Sequence, residues 1–184
     1  MPSKTKKISS ILTVVAITAA ASYQYSRSSY KHWIDSDKDC QNTRQEVLIV
    51  ESLEKPTLDK KGCIVISGKW HDPYTDKYFT NPKDLDIDHF IPLKEADKSG
   101  AKNWTKEKKM QYANDLENPE TLIAVDKSAN RAKSDKDPNR RLPQNKKYHC
   151  EYIKTWQKIK KQWNLKMDKD ESDFIREKNK ECAK

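Results

Sequence analysis

Apolar residues are scarce in this sequence of 184 residues. Only 34% of its residues are hydrophobic, and its mean hydropathy is −1.09. Five Trp, eight Tyr and three Phe can still build a compact core, but a core of this size usually needs the support of disulfides or a metal ion. The length favours one modest domain with short extensions, and we find no internal repeat.

Cysteine is also sparse, and its spacing argues against one common class of metal site. No two of the four cysteines form the C-x-x-C pair that is typical of a zinc knuckle. In an exported chain two disulfides are the better interpretation, and three pairings are possible. We favour Cys40–Cys63 and Cys150–Cys182 because each pair is local in sequence; four free buried thiols are the alternative.

No apolar run reaches the length of about 20 residues that a membrane-spanning helix needs. The N-terminus instead has the pattern of a signal peptide, with three lysines before an apolar run at residues 11–21 and small residues at Ala19 and Ala21. We therefore predict a signal peptide over residues 1–21 and a secreted or periplasmic protein. The alternative is an uncleaved membrane anchor formed by residues 8–23.

The remaining chain is predicted to be a polar linker over residues 22–39 and one domain over residues 40–184. Apolar periodicity and capping residues place helices and strands along that domain. We predict strands at residues 63–70, 85–93 and 121–125, and helices at residues 105–116, 128–133, 151–163 and 172–182. Residues 43–53 fit a helix or a strand.

The charge is concentrated in one part of the chain. The formal net charge is +9, yet residues 127–166 alone hold 13 Lys and Arg against 3 Asp and Glu. A single basic segment of this kind suits a polyanionic partner such as nucleic acid. A solvated lysine-rich surface is the alternative, and charge alone does not separate the two.

Residues suited to phosphodiester hydrolysis occur in a strand–strand–helix order. One predicted strand carries Asp88 and His89, a second strand follows, and Asn130 begins the next helix. Oxygens of Asp and Asn suit a hard cation such as Mg²⁺, and His is a suitable base near neutral pH. Because Asp88 and His89 are adjacent, both can serve one site only if the backbone turns there. The alternatives are a surface ion pair for His89 and a helix cap for Asn130.

The segments that carry these residues resemble the HNH nucleases. LDIDHFIPLKEA, ANDL and LIAVDKSANRAKSDKDP are similar to secreted bacterial and fungal HNH proteins related to the C-terminal domain of GmrSD-type restriction enzymes. The D-x-D-H-x-x-P and N-R-x-K-S-D patterns also resemble the HNH domain of CRISPR effector nucleases. TRQEVL, SGKWHDPYTDKYFT, YHCEY and the cysteine positions extend the resemblance over roughly residues 40–182.

This resemblance implies an α+β fold with a ββα-metal (HNH, or His-Me finger) core that is surrounded by helices and cross-linked by disulfides. It also implies a role for individual residues: His89 as general base, Asp88 and Asn130 as metal ligands, Asp86 as a supporting or direct ligand, and Lys133 and Arg131 as phosphate contacts, with Lys133 near the reacting group. In many HNH proteins the middle asparagine of the motif stands directly at the start of the second strand. In this sequence Thr121 occupies that place. We favour Asn118 over Asn114 for supporting that loop.

The sequence thus predicts a metal-dependent endonuclease that hydrolyses phosphodiester bonds, with DNA as the expected substrate and Mg²⁺, Mn²⁺ or another divalent ion as cofactor. We see no recognition module beyond the one domain, so low sequence specificity is expected. No protein partner is implied, and no membrane unless the N-terminal segment stays uncleaved. An exported nucleic-acid-binding protein without catalysis is the alternative.

Overall fold

A computed structural model describes residues 23–183 as a mixed α+β fold. The signal peptide predicted at residues 1–21 lies outside the described residues, and the linker prediction can be followed only from Tyr23. The helices are α1 Thr43–Val50, α2 Leu93–Lys98, α3 Lys106–Ala113, α4 Lys127–Lys133, α5 His149–Gln162 and α6 Lys169–Cys182. The strands are β1 Thr57–Leu58, β2 Val65–Ser67, β3 Trp70–Asp72, β4 Lys77–Phe79, β5 Leu85–His89 and β6 Leu122–Asp126.

The strands form three separate antiparallel pairs, β1–β2, β3–β4 and β5–β6. The pair β5–β6 is the longest and places Asp86 opposite Val125, Asp88 opposite Ile123 and His89 opposite Leu122. Helix α4 follows β6 directly and contacts both strands. Its N-cap Asp126 accepts a hydrogen bond from the Ala129 amide at 2.7 Å, which satisfies one of the free amides of the first turn.

Two hydrophobic clusters lie in the core, one towards each face of β5, because successive side chains of a strand point to opposite faces. Leu85 and Ile87 join the smaller cluster together with α1 and Trp70, whose indole donates to the Leu48 carbonyl at 2.8 Å. The larger cluster forms around α5 and α6. Its buried members are Tyr30, Tyr74, Phe90, Ile91, Leu93, Ala96, Ala101, Tyr112, Ala113, Val125, Tyr152, Ile153, Trp156, Ile159, Leu165 and Ile175.

The strand predicted at residues 63–70 is interrupted and becomes parts of two different pairs. Gly68 separates β2 from β3, and a Cβ at this position would lie 2.5 Å from the Trp70 ring and 2.7 Å from Ser52 Oγ. The packing of Trp70 therefore requires glycine where the sequence pattern suggested a continuous strand. The segment before it also contributes, because β1 lies there and pairs with β2.

Helix α3 begins as predicted but ends three residues early. The Thr105 side chain caps it by accepting from the Lys108 amide at 3.2 Å. At the other end, the side-chain Nδ2 of Asn114 donates to the Met110 and Lys31 carbonyls, each at 2.8 Å. A side chain thus takes over a carbonyl of the last turn, and the prediction that the helix continues to residue 116 is wrong.

The described part of the predicted linker packs against the domain. Tyr23 and Tyr30 both donate to Asp97 Oδ1 at 2.8 Å, and Tyr30 is fully buried. We refer to residues 23–30 as the N-terminal strap. The domain boundary at residue 40 stays a prediction.

Both favoured disulfides are confirmed. Cys40 is joined to Cys63 and Cys150 to Cys182, and the second bond links the first turn of α5 to the last turn of α6. Between residues 23 and 183, no helix is long and apolar enough to cross a membrane.

Candidate active site

Asp88 is a buried carboxylate held by two donors. Only 5% of the residue is exposed. Lys133 Nζ lies 2.7 Å from Oδ2 and 3.0 Å from Oδ1, and the Tyr74 hydroxyl donates to Oδ2 at 2.7 Å. Burial raises the pKa of Asp88 against the opposing effect of Lys133, and burial also lowers the pKa of Lys133. Both shifts bring the pair closer to neutrality than an exposed ion pair would be.

His89 lies at the end of β5 and on the opposite face from Asp88. It is 4% exposed, its ring packs 5.4 Å from the Trp33 ring, and its Nε2 lies 3.0 Å from the Ala113 carbonyl oxygen. A carbonyl can only accept, so this contact places the proton on Nε2 and leaves Nδ1 with a lone pair. Burial lowers the pKa of His89 to about 3. The imidazole is therefore neutral near pH 7.

Asn130 and Asp86 form the second polar contact of the site. The Asn130 side chain donates to Asp86 Oδ2 through Nδ2 at 3.2 Å, which leaves its carbonyl oxygen for another partner. Asn130 lies in the middle of α4, and Asp126 holds the N-cap position. The capping role that we considered for Asn130 is therefore taken by another residue.

One cleft of about 460 Å³ brings the central predicted residues together. Asp88, His89 and Asn130 all line it, although Asp88 and His89 belong to opposite faces of β5. They can share the cleft because the strand ends at His89. Its wall also includes Arg131 from α4.

Lys133 and Asp86 do not line this cleft. Lys133 is 3% exposed. Its ammonium contacts Asp88 and also donates to the His89 carbonyl oxygen at 3.1 Å. Asp86 touches the site through Asn130 alone. The predicted phosphate contact of Lys133 and the predicted ligand role of Asp86 are therefore not displayed in this arrangement and stay predictions.

Asn118 lies in the loop that leads into β6, and Asp115 organises the same loop. The Asn118 side chain accepts from the Glu120 amide at 3.1 Å and donates to Gln162 at 2.6 Å. Asp115 accepts from the Asn118 amide and from the Thr121 hydroxyl. Asn118 thus links this loop to α5, while Asp115 fixes the loop's backbone. The role of Asn118 as the middle residue of the motif stays a prediction.

Residues 22–178 match the family model described as GmrSD restriction endonucleases, C-terminal domain. The chain belongs to this family. Family membership suggests a nuclease-related role for this chain, and it agrees with the relationship to GmrSD-type restriction enzymes inferred from the sequence.

A relative in the fungus Arthroderma benhamiae is similar over most of the chain. It is 38% identical over 151 residues, which cover 82% of this chain and 72% of the relative, and it is described as an uncharacterized secreted protein. No solved structure matches the chain.

Sequence reasoning missed the neighbours that hold Asp88 and His89 in place. Tyr74 was not among the predicted site residues, yet it is buried and bonded to Asp88. Its position directly after Asp72 and Pro73 indicated only a turn, since pairing across the fold has no local signature. Trp33 was assigned to the linker and packs against His89.

The donor set of the site fits a hard divalent cation in its chemistry. Asp86, Asp88 and Asn130 offer only oxygen ligands, the type that Mg²⁺ and Mn²⁺ prefer. In this structure both oxygens of Asp88 already interact with Lys133. A cation at Asp88 would therefore compete with, or partly displace, the lysine ammonium.

Proposed function

We propose that this protein is an HNH-type endonuclease, in which β5, β6 and α4 form the ββα-metal core and phosphodiester bonds of DNA are hydrolysed with low sequence specificity. One observation carries the proposal: Asp88, His89 and Asn130, which lie on three different surfaces of this unit, line the same cleft. The membership in a restriction endonuclease family supports it.

His89 is proposed to accept the proton of the attacking water at Nδ1. The Ala113 carbonyl fixes the tautomer by engaging Nε2, as expected for a positioned base. A base with a pKa of about 3 is weak by itself. A phosphate that enters the cleft brings negative charge, and this charge raises the pKa of His89 when the substrate is bound.

Asp88 and Asn130 are proposed to hold a divalent ion, Mg²⁺ or Mn²⁺, with Asp86 supporting them through Asn130. When bound, such an ion neutralises charge on the phosphate and on the leaving oxygen. The contacts of Lys133 allow this exchange, because Lys133 can give up Asp88 and still keep the His89 carbonyl as a partner. Released from Asp88, Lys133 is a cation next to the reacting group.

Arg131 is proposed to bind a phosphate beside the reaction centre. It lies two residues before Lys133 on α4, is exposed and lines the cleft. Guanidinium groups bind phosphate oxygens in a bidentate manner, which gives orientation as well as charge.

We also propose that the protein acts outside the cytoplasm. Two disulfides are typical of oxidising compartments, and the fungal relative is described as secreted. The cleaved signal peptide remains the favoured arrangement, with a membrane anchor at residues 8–23 as the alternative.

The test is plasmid cleavage by the full chain with both disulfides formed, in Mg²⁺ and in EDTA. His89→Ala is the test variant, and His71→Ala is a matched control because His71 lies on β3 and pairs with Asp76 away from the cleft. We expect cleavage in Mg²⁺ only, a loss of about 100-fold or more in His89→Ala, and full activity in His71→Ala. Binding without cleavage in any of several ions would favour the non-catalytic nucleic-acid-binding protein instead.

A further inference from the structure

The N-terminal strap contributes a cation to the active-site cleft. Arg27 and Tyr25 line the same cleft as Asp88, His89 and Asn130, although they precede these residues by some sixty positions or more. Burial raises the pKa of Tyr25, and the charge of Arg27 partly opposes this shift. The cleft is therefore bounded by Arg131 from α4 and by Arg27 from the strap.

The strap is fixed in this position by a buried carboxylate. Asp97 on α2 accepts from Tyr23 on one side of Arg27 and from Tyr30 on the other, both at 2.8 Å. Lys109 Nζ lies 4.0 Å from the same carboxylate and 5.1 Å from the centre of the Tyr30 ring. Two anchors around a short segment hold the backbone of Arg27 beside the cleft, so little ordering is needed when a ligand binds.

Arg27 has no acidic partner in the part of the chain that the structure describes. Lys94, a third cation at the cleft, pairs with Asp135 at 2.9 Å. No carboxylate oxygen of the described residues lies within 4.0 Å of the guanidinium of Arg27 or of Arg131. Both guanidinium groups are exposed and available to an anion that enters the cleft.

We propose that Arg27 forms a phosphate-binding subsite for the nucleic acid backbone, separate from the subsite of Arg131. The proposal rests on the proposed nuclease function. Two guanidinium groups from different parts of the chain contact different phosphates of one strand, and this fixes the strand relative to Asp88 and His89. The strap is thereby a functional part of the domain as well as a packed extension of it.

The experiment measures binding of the full, oxidised chain to a labelled DNA duplex in EDTA, where cleavage does not interfere. Affinity is followed by fluorescence anisotropy across a salt series for wild type, Arg27→Ala, Arg27→Lys and Lys31→Ala. Lys31 is a matched control, since it is an exposed cation close in sequence that does not line the cleft. Far-UV circular dichroism confirms that each variant is folded.

For Arg27→Ala we expect binding to weaken about five- to tenfold. The negative slope of log K against log salt should become shallower by about 1, the value for one lost phosphate contact. Arg27→Lys should keep the slope and lose part of the affinity, because it keeps the charge without the bidentate geometry. Lys31→Ala should match the wild type. An unchanged slope in Arg27→Ala, or an equal loss in Lys31→Ala, overturns the subsite.

These outcomes separate the subsite from the nuclease itself. A wild type that cleaves DNA while Arg27→Ala binds normally overturns the subsite and leaves the proposed function intact. A wild type that binds DNA through Arg27 but never cleaves it supports the subsite and overturns catalysis. A wild type that does not bind DNA at all overturns both.

Discussion

Two of the buried lysines, Lys133 and Lys160, meet carboxylates in very different surroundings. Lys133 is 3% exposed, contacts Asp88 and one backbone carbonyl, and lies directly beneath the cleft. Lys160 is 1% exposed and bonds four groups: Glu95 at 3.0 Å, Glu171 at 2.7 Å, the Ser99 hydroxyl and the Lys166 carbonyl. Its contacts join α2, α5 and α6.

The difference lies in what could replace each lysine. The carboxylates around Lys160 are enclosed by protein. Among the described residues, Lys160 is the only cation that pairs with them, and the Trp156 indole that also bonds Glu171 is neutral. Asp88 also lines an open cleft, where a proton or a metal ion can reach it. Removing one partner of an enclosed ion pair leaves an uncompensated buried charge, whereas a pair that borders a cleft can exchange one partner for an ion from solvent.

The largest expected effect comes from Lys160→Met, which tests the enclosed pair. Removing the ammonium leaves Glu95 and Glu171 buried without a cation, and we expect the free energy of unfolding to fall by about 3–5 kcal/mol. Cleavage per folded molecule should not change, because Lys160 does not line the cleft. Urea denaturation and activity below the unfolding transition measure the two quantities. A folded variant with lost activity would contradict the purely structural role.

Lys133→Met tests the exchangeable pair. We expect a smaller loss of stability in EDTA, about 1–3 kcal/mol, because Asp88 can take up a proton when the ammonium is gone. Saturating Mg²⁺ should recover part of this loss through Asp88, and cleavage should fall about 100-fold. The same urea curves with Mg²⁺ and with EDTA provide the measurement. A loss that Mg²⁺ does not change, as expected for Lys160→Met, would argue against a metal ion at Asp88.

Glu51 provides a third case, a largely buried carboxylate that has no cationic partner among the described residues and accepts a hydrogen bond from the Ala124 amide at 2.7 Å. Burial raises its pKa from the usual 4.5 to about 7. The folded protein therefore binds this proton more tightly than the unfolded chain, and the free energy of unfolding falls as pH rises from about 4.5 to about 7.

Glu51→Gln should remove this part of the pH dependence. Gln can still accept from Ala124 and carries no charge, so we expect the variant to exceed the wild type by roughly 1–3 kcal/mol above pH 7 and to match it near pH 4.5. Urea denaturation of both proteins at the two pH values measures the difference. Parallel pH curves would show that Glu51 titrates normally.

The smallest expected effect is that of Tyr74→Phe, which removes the neutral donor of Asp88 and keeps the ring. We expect a loss of about 1–2 kcal/mol in the free energy of unfolding. Tyr152→Phe is a matched control in the same aromatic cluster, since the buried Tyr152 hydroxyl has no hydrogen-bond partner among the described residues. Equal losses in the two variants would show that the Asp88 bond contributes little.

The local parts of the fold were predictable from sequence. The Thr105 cap, the alternation of Leu85 to Asp88 and the helical spacing of residues 151–163 each depend on neighbours within a few residues, and the structure has the corresponding elements. Helix α2 was missed, because the strand predicted at residues 85–93 included its first residue, whereas β5 ends at His89. The two disulfides were ranked only by sequence separation.

The site likewise has a part that the sequence predicted and a part that it did not. Asp88, His89 and Asn130 belong to the segments that resemble HNH nucleases, so the sequence alone indicated that they meet, and they line one cleft. The pairing of Lys133 with Asp88, the contact of Tyr74 and the approach of Arg27 depend on how distant segments pack. Side-chain periodicity carries no information on such contacts.

Strand β5 places two adjacent side chains in two microenvironments that one peptide bond separates. Asp88 interacts with the aromatic cluster around α5 through Tyr74, whereas His89 faces Trp33 and the Ala113 carbonyl. Substitutions beside Tyr74 are therefore expected to alter the proton affinity of Asp88 more than that of His89, whereas Lys133 influences the pKa of both. In the proposed nuclease, the neighbours of Asp88 and those of His89 would thus offer separate positions at which metal affinity and pH range are adjusted.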